Sequence, residues 1–104
     1  MGVKEILKEF REKIQSIYGD RLKDLILYGS WARGQATDDS DIDVVVVLKG
    51  KIKAGEEIDR MIDAITDLNL KHNILLSVYP VSEQDYANLQ SPILMNIRRE
   101  GLAA

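Results

Sequence analysis

The chain has 104 residues, of which 45% are hydrophobic and 30% charged, with a formal net charge of −3. This length and balance predict one globular domain spanning residues 1–104. Its apolar runs stay well below the roughly 20 residues that span a bilayer, so we expect no membrane segment. The charged N-terminus lacks the apolar core of a signal peptide, and there is no cysteine. We therefore expect a cytoplasmic protein, and the acidic balance argues against nucleic-acid binding.

The first part of the chain predicts a helix followed by a buried strand. Helical spacing of apolar residues predicts an amphipathic helix over residues 3–18, ended by Gly19-Asp20. Its predicted buried stripe is Val3, Ile6, Leu7, Phe10, Ile14 and Ile17. The apolar run over 22–28 predicts a strand. The polar, turn-prone segment over 29–40 follows, with one helical turn expected near 30–34.

The remainder predicts two strands and three helices. A strand over 41–48 is apolar on both faces beyond residue 43, which predicts a central place in the sheet. A helix over 55–70 carries the apolar stripe Ile58, Met61, Ile62, Ile65 and Leu68.

A third strand over 74–79 is expected to stop at Pro80, which cannot donate a ladder hydrogen bond. Ser82 is predicted to cap a short helix to about residue 89. Ser91 and Pro92 are predicted to begin the last helix, which ends at Gly101. The order α-β-β-α-β-α-α indicates an α+β fold with a small mixed sheet of about three strands.

Two segments of the chain carry the residues suited to chemistry. Gly29-Ser30 follows the first strand, and Asp41 and Asp43 open the second. Alternate strand residues project from one face, so these carboxylates can share a ligand such as Mg²⁺ or Mn²⁺. A Gly-Ser turn offers N–H groups and a hydroxyl to a phosphate. Because the link between the segments is short, only antiparallel strands bring them together. An isolated Asp-x-Asp is more often a solvated strand entry, but the upstream Gly-Ser favours a nucleotide site.

Gly29-Ser30, ten intervening residues and then Asp41-x-Asp43 resemble the signature of the DNA polymerase β-like nucleotidyltransferase superfamily. The fuller string, Gly-Ser-x-Ala-Arg-Gly and then Ser-Asp-x-Asp, is similar to its shortest members, the minimal nucleotidyltransferases that include MntA-like antitoxins. The resemblance implies a polymerase β palm-like fold in which Gly29 and Ser30 hold the β- and γ-phosphates of ATP. It implies that Asp41 and Asp43 hold Mg²⁺ while pyrophosphate leaves. Arg33 has two interpretations, as a phosphate ligand or as part of a structural salt bridge.

The chain departs from this family on the strand after the second helix, where a third carboxylate is usual. Residues 73–80 contain no acid, and Ser77 occupies the expected position by alternation and by the resemblance. A serine is a poor metal ligand and no general base near neutral pH. Glu83 and Asp85 follow the strand and are candidates to compensate, although roles at a helix start suit them better.

Five further residues are weaker candidates, and four of them have two interpretations. Tyr28 and Trp31 flank Gly29-Ser30, either to stack on a base or to pack in the core. His72, the single histidine, is interpreted as a solvated turn residue. Arg98 and Arg99 complement the dipole of the last helix, with a phosphate or partner contact as the alternative.

A chain this small has no evident second domain to hold an acceptor. The resemblance to stand-alone minimal nucleotidyltransferases implies an antitoxin that moves AMP from ATP onto a tyrosine of a HEPN-domain ribonuclease toxin. Our first hypothesis is this Mg²⁺-dependent reaction. The alternative is an antitoxin or adaptor that neutralises its partner by binding alone, which Ser77 favours. Transfer to a small molecule or nucleic acid ranks third, and a homo-oligomer stays open.

Overall fold

The structure is a computed structural model that describes residues 2–104, and it contains a four-stranded mixed sheet with helices on both faces. In chain order the elements are α1 (Val3–Tyr18), β1 (Leu22–Tyr28), α2 (Gly29–Ala32), β2 (Ile42–Leu48), α3 (Ala54–His72), β3 (Leu76–Ser82), α4 (Glu83–Asn88), α5 (Pro92–Glu100) and β4 (Leu102–Ala103). A 3-10 turn over Gly19–Arg21 links α1 to β1. In the described part of the chain, none of the helices has the length and apolar character needed to cross a bilayer.

The strand order is β3-β2-β1-β4, with β1 antiparallel to both of its neighbours and β3 parallel to β2. The predicted antiparallel pairing of the first two strands is confirmed. The central position of β2 is confirmed as well, since Val44, Val45 and Val46 are fully buried. A strand that is apolar on both faces gains most from burial between two helical layers.

Alternation along the strands divides the core between the two faces of the sheet. Val44 and Val46 face α1 and α3, where Phe10 and Met61 are fully buried. Val45 and Val47 face the opposite side, where the buried residues of α5 pack on them. The sheet therefore carries two apolar layers, and β2 contributes to both.

The predicted apolar stripes of α1 and α3 are largely correct, with one exception in each helix. Ile17 is 42% exposed and Ile62 is 47% exposed. Each residue lies at the solvent-facing border of its stripe. Their neighbours in the stripes form the core on that face of the sheet.

The predicted α+β fold with a small mixed sheet is confirmed, but one strand boundary was predicted wrongly and one strand was not predicted. The third strand does not stop at Pro80 but continues to Ser82. The Leu75 carbonyl accepts from the N–H of Ile42, so the backbone groups of residue 75 and of every second residue after it face β2. Residue 80 falls in the other set, and its backbone nitrogen faces away from β2. At a sheet edge a missing N–H in that direction costs no ladder bond. The strand that the sequence did not predict is β4, two residues after Gly101 that pair with β1 and are too short to show any periodicity.

His72 is not the solvated turn residue that the sequence predicted. It ends α3, its side chain is only 8% exposed, and its Nε2 lies 3.0 Å from Glu9 Oε2 of α1. Lys71 Nζ donates to the same carboxylate at 3.0 Å. These hydrogen bonds lower the pKa of Glu9, with the one from His72 acting most strongly. Together the two side chains tie α3 to α1 across the surface of the core.

Arg98 has a structural role that the sequence left undecided. Its guanidinium donates to the carbonyl of Tyr86 at 2.6 Å and to that of Leu89 at 3.0 Å. These carbonyls lie at the end of α4, where intrahelical partners are lacking. Arg98 therefore fixes the angle between α4 and α5. The predicted caps are confirmed, since Ser82 Oγ accepts from Asp85 N and Ser91 Oγ from Leu94 N.

We expect Phe10→Ala to lower the free energy of unfolding by about 3–5 kcal/mol, because it removes a fully buried ring and leaves a cavity. Ile17→Ala is the matched control on the same helix, with an expected loss below about 1 kcal/mol. Urea denaturation with an unchanged m-value measures both. Similar losses for the two variants would contradict the assignment of the buried stripe.

Candidate functional site

The site is built where the end of β1 meets the start of β2. Their register pairs Tyr28 with Asp43, and Gly29 follows at the next position. Gly29 has a φ of +72°, in the left-handed region that favours glycine. A Cβ at this position would collide with Asp43 Oδ2. Glycine therefore lets the backbone turn and approach the carboxylate at the same point.

The loop from Gly29 to Ser40 is held by its own hydrogen bonds. The short helix α2 turns back through Gln35 N, which donates to Ser30 O at 2.9 Å. Trp31 Nε1 donates to Ser40 O at 3.2 Å, and its ring packs against the α1–α3 core. Trp31 therefore has the packing role among its two interpretations. Thr37 N donates to Ser40 Oγ at 2.9 Å, which closes the turn before the carboxylates.

Asp43 of β2 and Ser77 of β3 lie side by side in the sheet. Ile42 is buried toward α1 and α3, so the neighbouring Asp43 projects from the α5 face, as Val45 does. Across the parallel ladder Asp43 is paired with Ser77, which is exposed. The position predicted for a third carboxylate is therefore beside Asp43 and carries a hydroxyl.

The environment of Asp43 disfavours its ionised form. Burial raises the pKa of its carboxyl, and the charge of Asp41 raises it further. Arg33 and the hydroxyl of Ser77 lower this pKa but do not cancel the rise. A cation placed between the two carboxylates would remove the repulsion and favour the charged form.

Arg33 lies at the edge of the same site. Its Nη1 is 3.8 Å from Glu100 Oε2 of α5, with side-chain exposures of 45% and 40%. Its Nε donates to Gln35 Oε1 at 3.2 Å. An exposed pair at this distance contributes little to stability. The salt-bridge interpretation of Arg33 therefore holds in part, and the guanidinium stays accessible to an anion.

A cleft of about 200 Å³ opens beside Gly29, between the end of β1 and α5. Its lining residues are Tyr28, Gly29, Arg33, Ile93, Asn96, Ile97 and Glu100. Sequence reasoning missed the four residues from α5, because they lie more than fifty positions beyond Gly29 and carry no motif. Only the packing of α5 on the sheet brings them to the site.

Other candidate residues lie away from this cleft. Glu83 and Asp85 begin α4 beyond the far end of β3, so they do not replace the missing carboxylate. They line an open depression of about 1070 Å³, together with the basic loop 49–53. Within residues 2–104 the structure has no group of three acidic or histidine side chains that could hold a metal.

We expect Gly29→Ala to destabilise the chain more than Gly34→Ala. Both residues have positive φ, which costs an alanine about 1–2 kcal/mol. Only at Gly29 does the added methyl meet another group, the Asp43 carboxylate, whereas nothing lies within 4 Å at Gly34. Thermal denaturation compares the two variants. Adding Asp43→Ala to Gly29→Ala should recover part of the difference, and equal losses at the two glycines would refute the close approach.

We expect Asp43→Asn to raise the Tm of the metal-free protein at pH 7. The folded-state pKa of Asp43 lies above its ordinary value of 3.8, so protonated Asp43 is compatible with the fold and ionised Asp43 costs stability. That cost is absent below the unfolded pKa and develops as pH rises through the folded pKa. The gain in Tm should therefore be small at pH 3. Asp39→Asn, in the exposed part of the same loop, is the control, and a gain of equal size there would contradict the assignment.

Comparisons with known proteins identify the family of the chain. Residues 3–97 match the family model described as a nucleotidyltransferase domain. MJ0604 of Methanocaldococcus jannaschii is 37% identical over 84 residues, which cover 81% of this chain and 78% of the relative. MJ0141 of the same organism is 38% identical over 77 residues, covering 74% and 77%. Both are named as candidate protein adenylyltransferases.

Solved structures share the fold. A candidate nucleotidyltransferase from Sulfolobus solfataricus superposes with a TM-score of 0.69 at 20% identity, covering 95% of this chain and 76% of that chain. A toxin–antitoxin complex with AMP-PNP gives 0.64 at 14% identity, covering 92% and 70%. A mutant of the toxin–antitoxin pair MntA-HpeT gives 0.63 at 13% identity, covering 99% and 71%. The family match over residues 3–97 and relatives above 35% identity show that this chain belongs to the nucleotidyltransferase family.

Proposed function

We propose that this protein transfers AMP from ATP to a hydroxyl group of a partner protein, with Mg²⁺ or Mn²⁺ as the cofactor. The observation that carries the proposal is the register of Tyr28 with Asp43, which brings Gly29 against the Asp43 carboxylate. Asp41 lies close enough for its charge to raise the pKa of Asp43. The phosphate-binding and cation-binding groups then lie at the same end of the β1–β2 pair. The names of the M. jannaschii relatives support a protein as the acceptor.

The carboxylates of Asp41 and Asp43 fit a divalent cation in chemistry and in charge. Their oxygens are the hard donors that Mg²⁺ and Mn²⁺ prefer. Burial and the charge of Asp41 raise the pKa of Asp43, so its ionised form gains from a neighbouring positive charge. A divalent ion, when bound, neutralises the triphosphate and polarises the α-phosphate.

The chain's own residues position the nucleotide. We assign the N–H of Gly29 and the hydroxyl of Ser30 to the β- and γ-phosphates. Arg33 is placed to leave its 3.8 Å pair with Glu100 for a phosphate oxygen, since charge-assisted bonds to phosphate are stronger than an exposed ion pair. In the transfer, the acceptor oxygen forms a bond to the α-phosphorus while the bond from that phosphorus to the bridging oxygen of pyrophosphate breaks. Pyrophosphate leaves, and the proton of the acceptor hydroxyl passes to solvent.

We propose a HEPN-domain ribonuclease toxin as the acceptor, which makes this chain a cytoplasmic antitoxin. Two structural neighbours are toxin–antitoxin complexes, and one of them contains the ATP analogue AMP-PNP. The cleft lies at the end of β1, open beside Gly29 and lined by α5. Such a cleft suits an acceptor side chain that arrives from another protein.

We expect a co-purified HEPN partner to gain the mass of AMP on a tyrosine when this protein, ATP and Mg²⁺ are present. Asp43→Asn should slow the modification by about 100-fold or more, because it removes a charge that acts on the reacting phosphate. Asp39→Asn is the matched control, with an exposed acid of the same loop and no expected effect. Intact-mass spectrometry measures all three, and an unmodified partner with the wild-type protein would refute enzymatic neutralisation.

A second candidate function is neutralisation by binding alone, which the exposed hydroxyl of Ser77 beside Asp43 favours. In that case the doubly substituted Asp41→Asn, Asp43→Asn protein still rescues growth of cells that express the toxin. Under the first proposal the same variant loses rescue while it still binds the partner. A growth assay paired with a pull-down therefore separates the two functions.

A further inference from the structure

The site offers few protein ligands to a divalent cation. Asp41 and Asp43 supply two carboxylates, and their partner across the parallel ladder is the neutral side chain of Ser77. Arg33 lines the cleft beside Gly29 and adds a positive charge to the site. Two divalent ions at the separation found in two-metal sites would have to share these two carboxylates as their acidic protein ligands.

A second ion site would also need a further acid from the cleft. Glu100 of α5 is the acidic side chain that lines it. Its two carboxylate oxygens lie 3.8 Å from Arg33 and 3.8 Å from Arg99. Glu83 and Asp85 stand beyond the opposite end of β3. In the described chain there is accordingly no third acidic or histidine ligand within reach of the pair.

One ion, in contrast, needs no protein ligand beyond these two carboxylates. Mg²⁺ commonly binds through one or two carboxylates together with the phosphates of a nucleotide, and keeps water at its remaining positions. Ser77 is paired with Asp43 across the parallel ladder, so its hydroxyl lies on the strand next to a ligand of that ion.

We infer that the site binds one divalent ion, which arrives with the nucleotide, and that Ser77 is the residue that sets this number. The inference depends on the proposed nucleotide site. It adds that this chain offers no second ion to an acceptor hydroxyl. A carboxylate at position 77 would stand beside Asp43 and supply the missing charge.

Electron paramagnetic resonance with Mn²⁺ and a non-hydrolysable ATP analogue tests the inference on the intact chain. We expect the wild type to bind one protein-dependent Mn²⁺ per chain, with the spectrum of an isolated ion. Ser77→Ala should also bind one. Ser77→Asp should bind two, with the exchange-coupled spectrum of ions about 3.5–4 Å apart.

A coupled pair in the wild type overturns the inference by itself, so the test does not depend on whether Ser77→Asp folds. A folded Ser77→Asp protein that still binds one ion overturns the role of position 77. Absence of any nucleotide-dependent Mn²⁺ in the wild type would refute the proposed function together with the inference. One ion in the wild type with no AMP transfer leaves the inference supported and the transferase proposal wrong.

Discussion

The antiparallel register of β1 and β2 is the constraint on which the rest of the site depends. It places Tyr28 opposite Asp43 and so brings Gly29 directly against a carboxylate. A slip of one residue would turn Asp43 toward α1 and α3 and expose an apolar neighbour, because strand side chains alternate. The buried valines on both faces of β2 oppose any such slip. The hydrophobic core therefore fixes the geometry of the polar site at the ends of β1 and β2.

Much of this arrangement could be predicted from the sequence. The helices α1 and α3 follow from apolar spacing, and the first two strands from apolar runs with a turn-prone link between them. Ser82 and Ser91 predicted the starts of α4 and α5, because serine side chains cap helix N-termini. The motif also indicated which strand ends must meet, because a short link permits a single arrangement. These signals are all local in sequence.

The features that the sequence did not reveal depend on contacts between distant segments. Pro80 ends a strand only if its backbone faces a partner, and that depends on which strand lies at the edge of the sheet. His72 appeared solvated because nothing local indicates that Glu9, 63 positions away, lies beside it. The cleft residues Asn96 and Glu100 have no motif and reach the site only through the packing of α5. Tertiary contacts, not propensity, decide each of these positions.

Pro80 also determines how the sheet can meet another protein. A partner that joins a sheet by adding a strand needs a continuous row of N–H and C=O groups along the outer edge. Pro80 lies near the middle of β3 and turns its nitrogen, which has no hydrogen, toward that edge. The row is therefore interrupted where an added strand would need it most. Partners on this side must be recognised through side chains, because the outer edge of β3 is a poor template for an added strand.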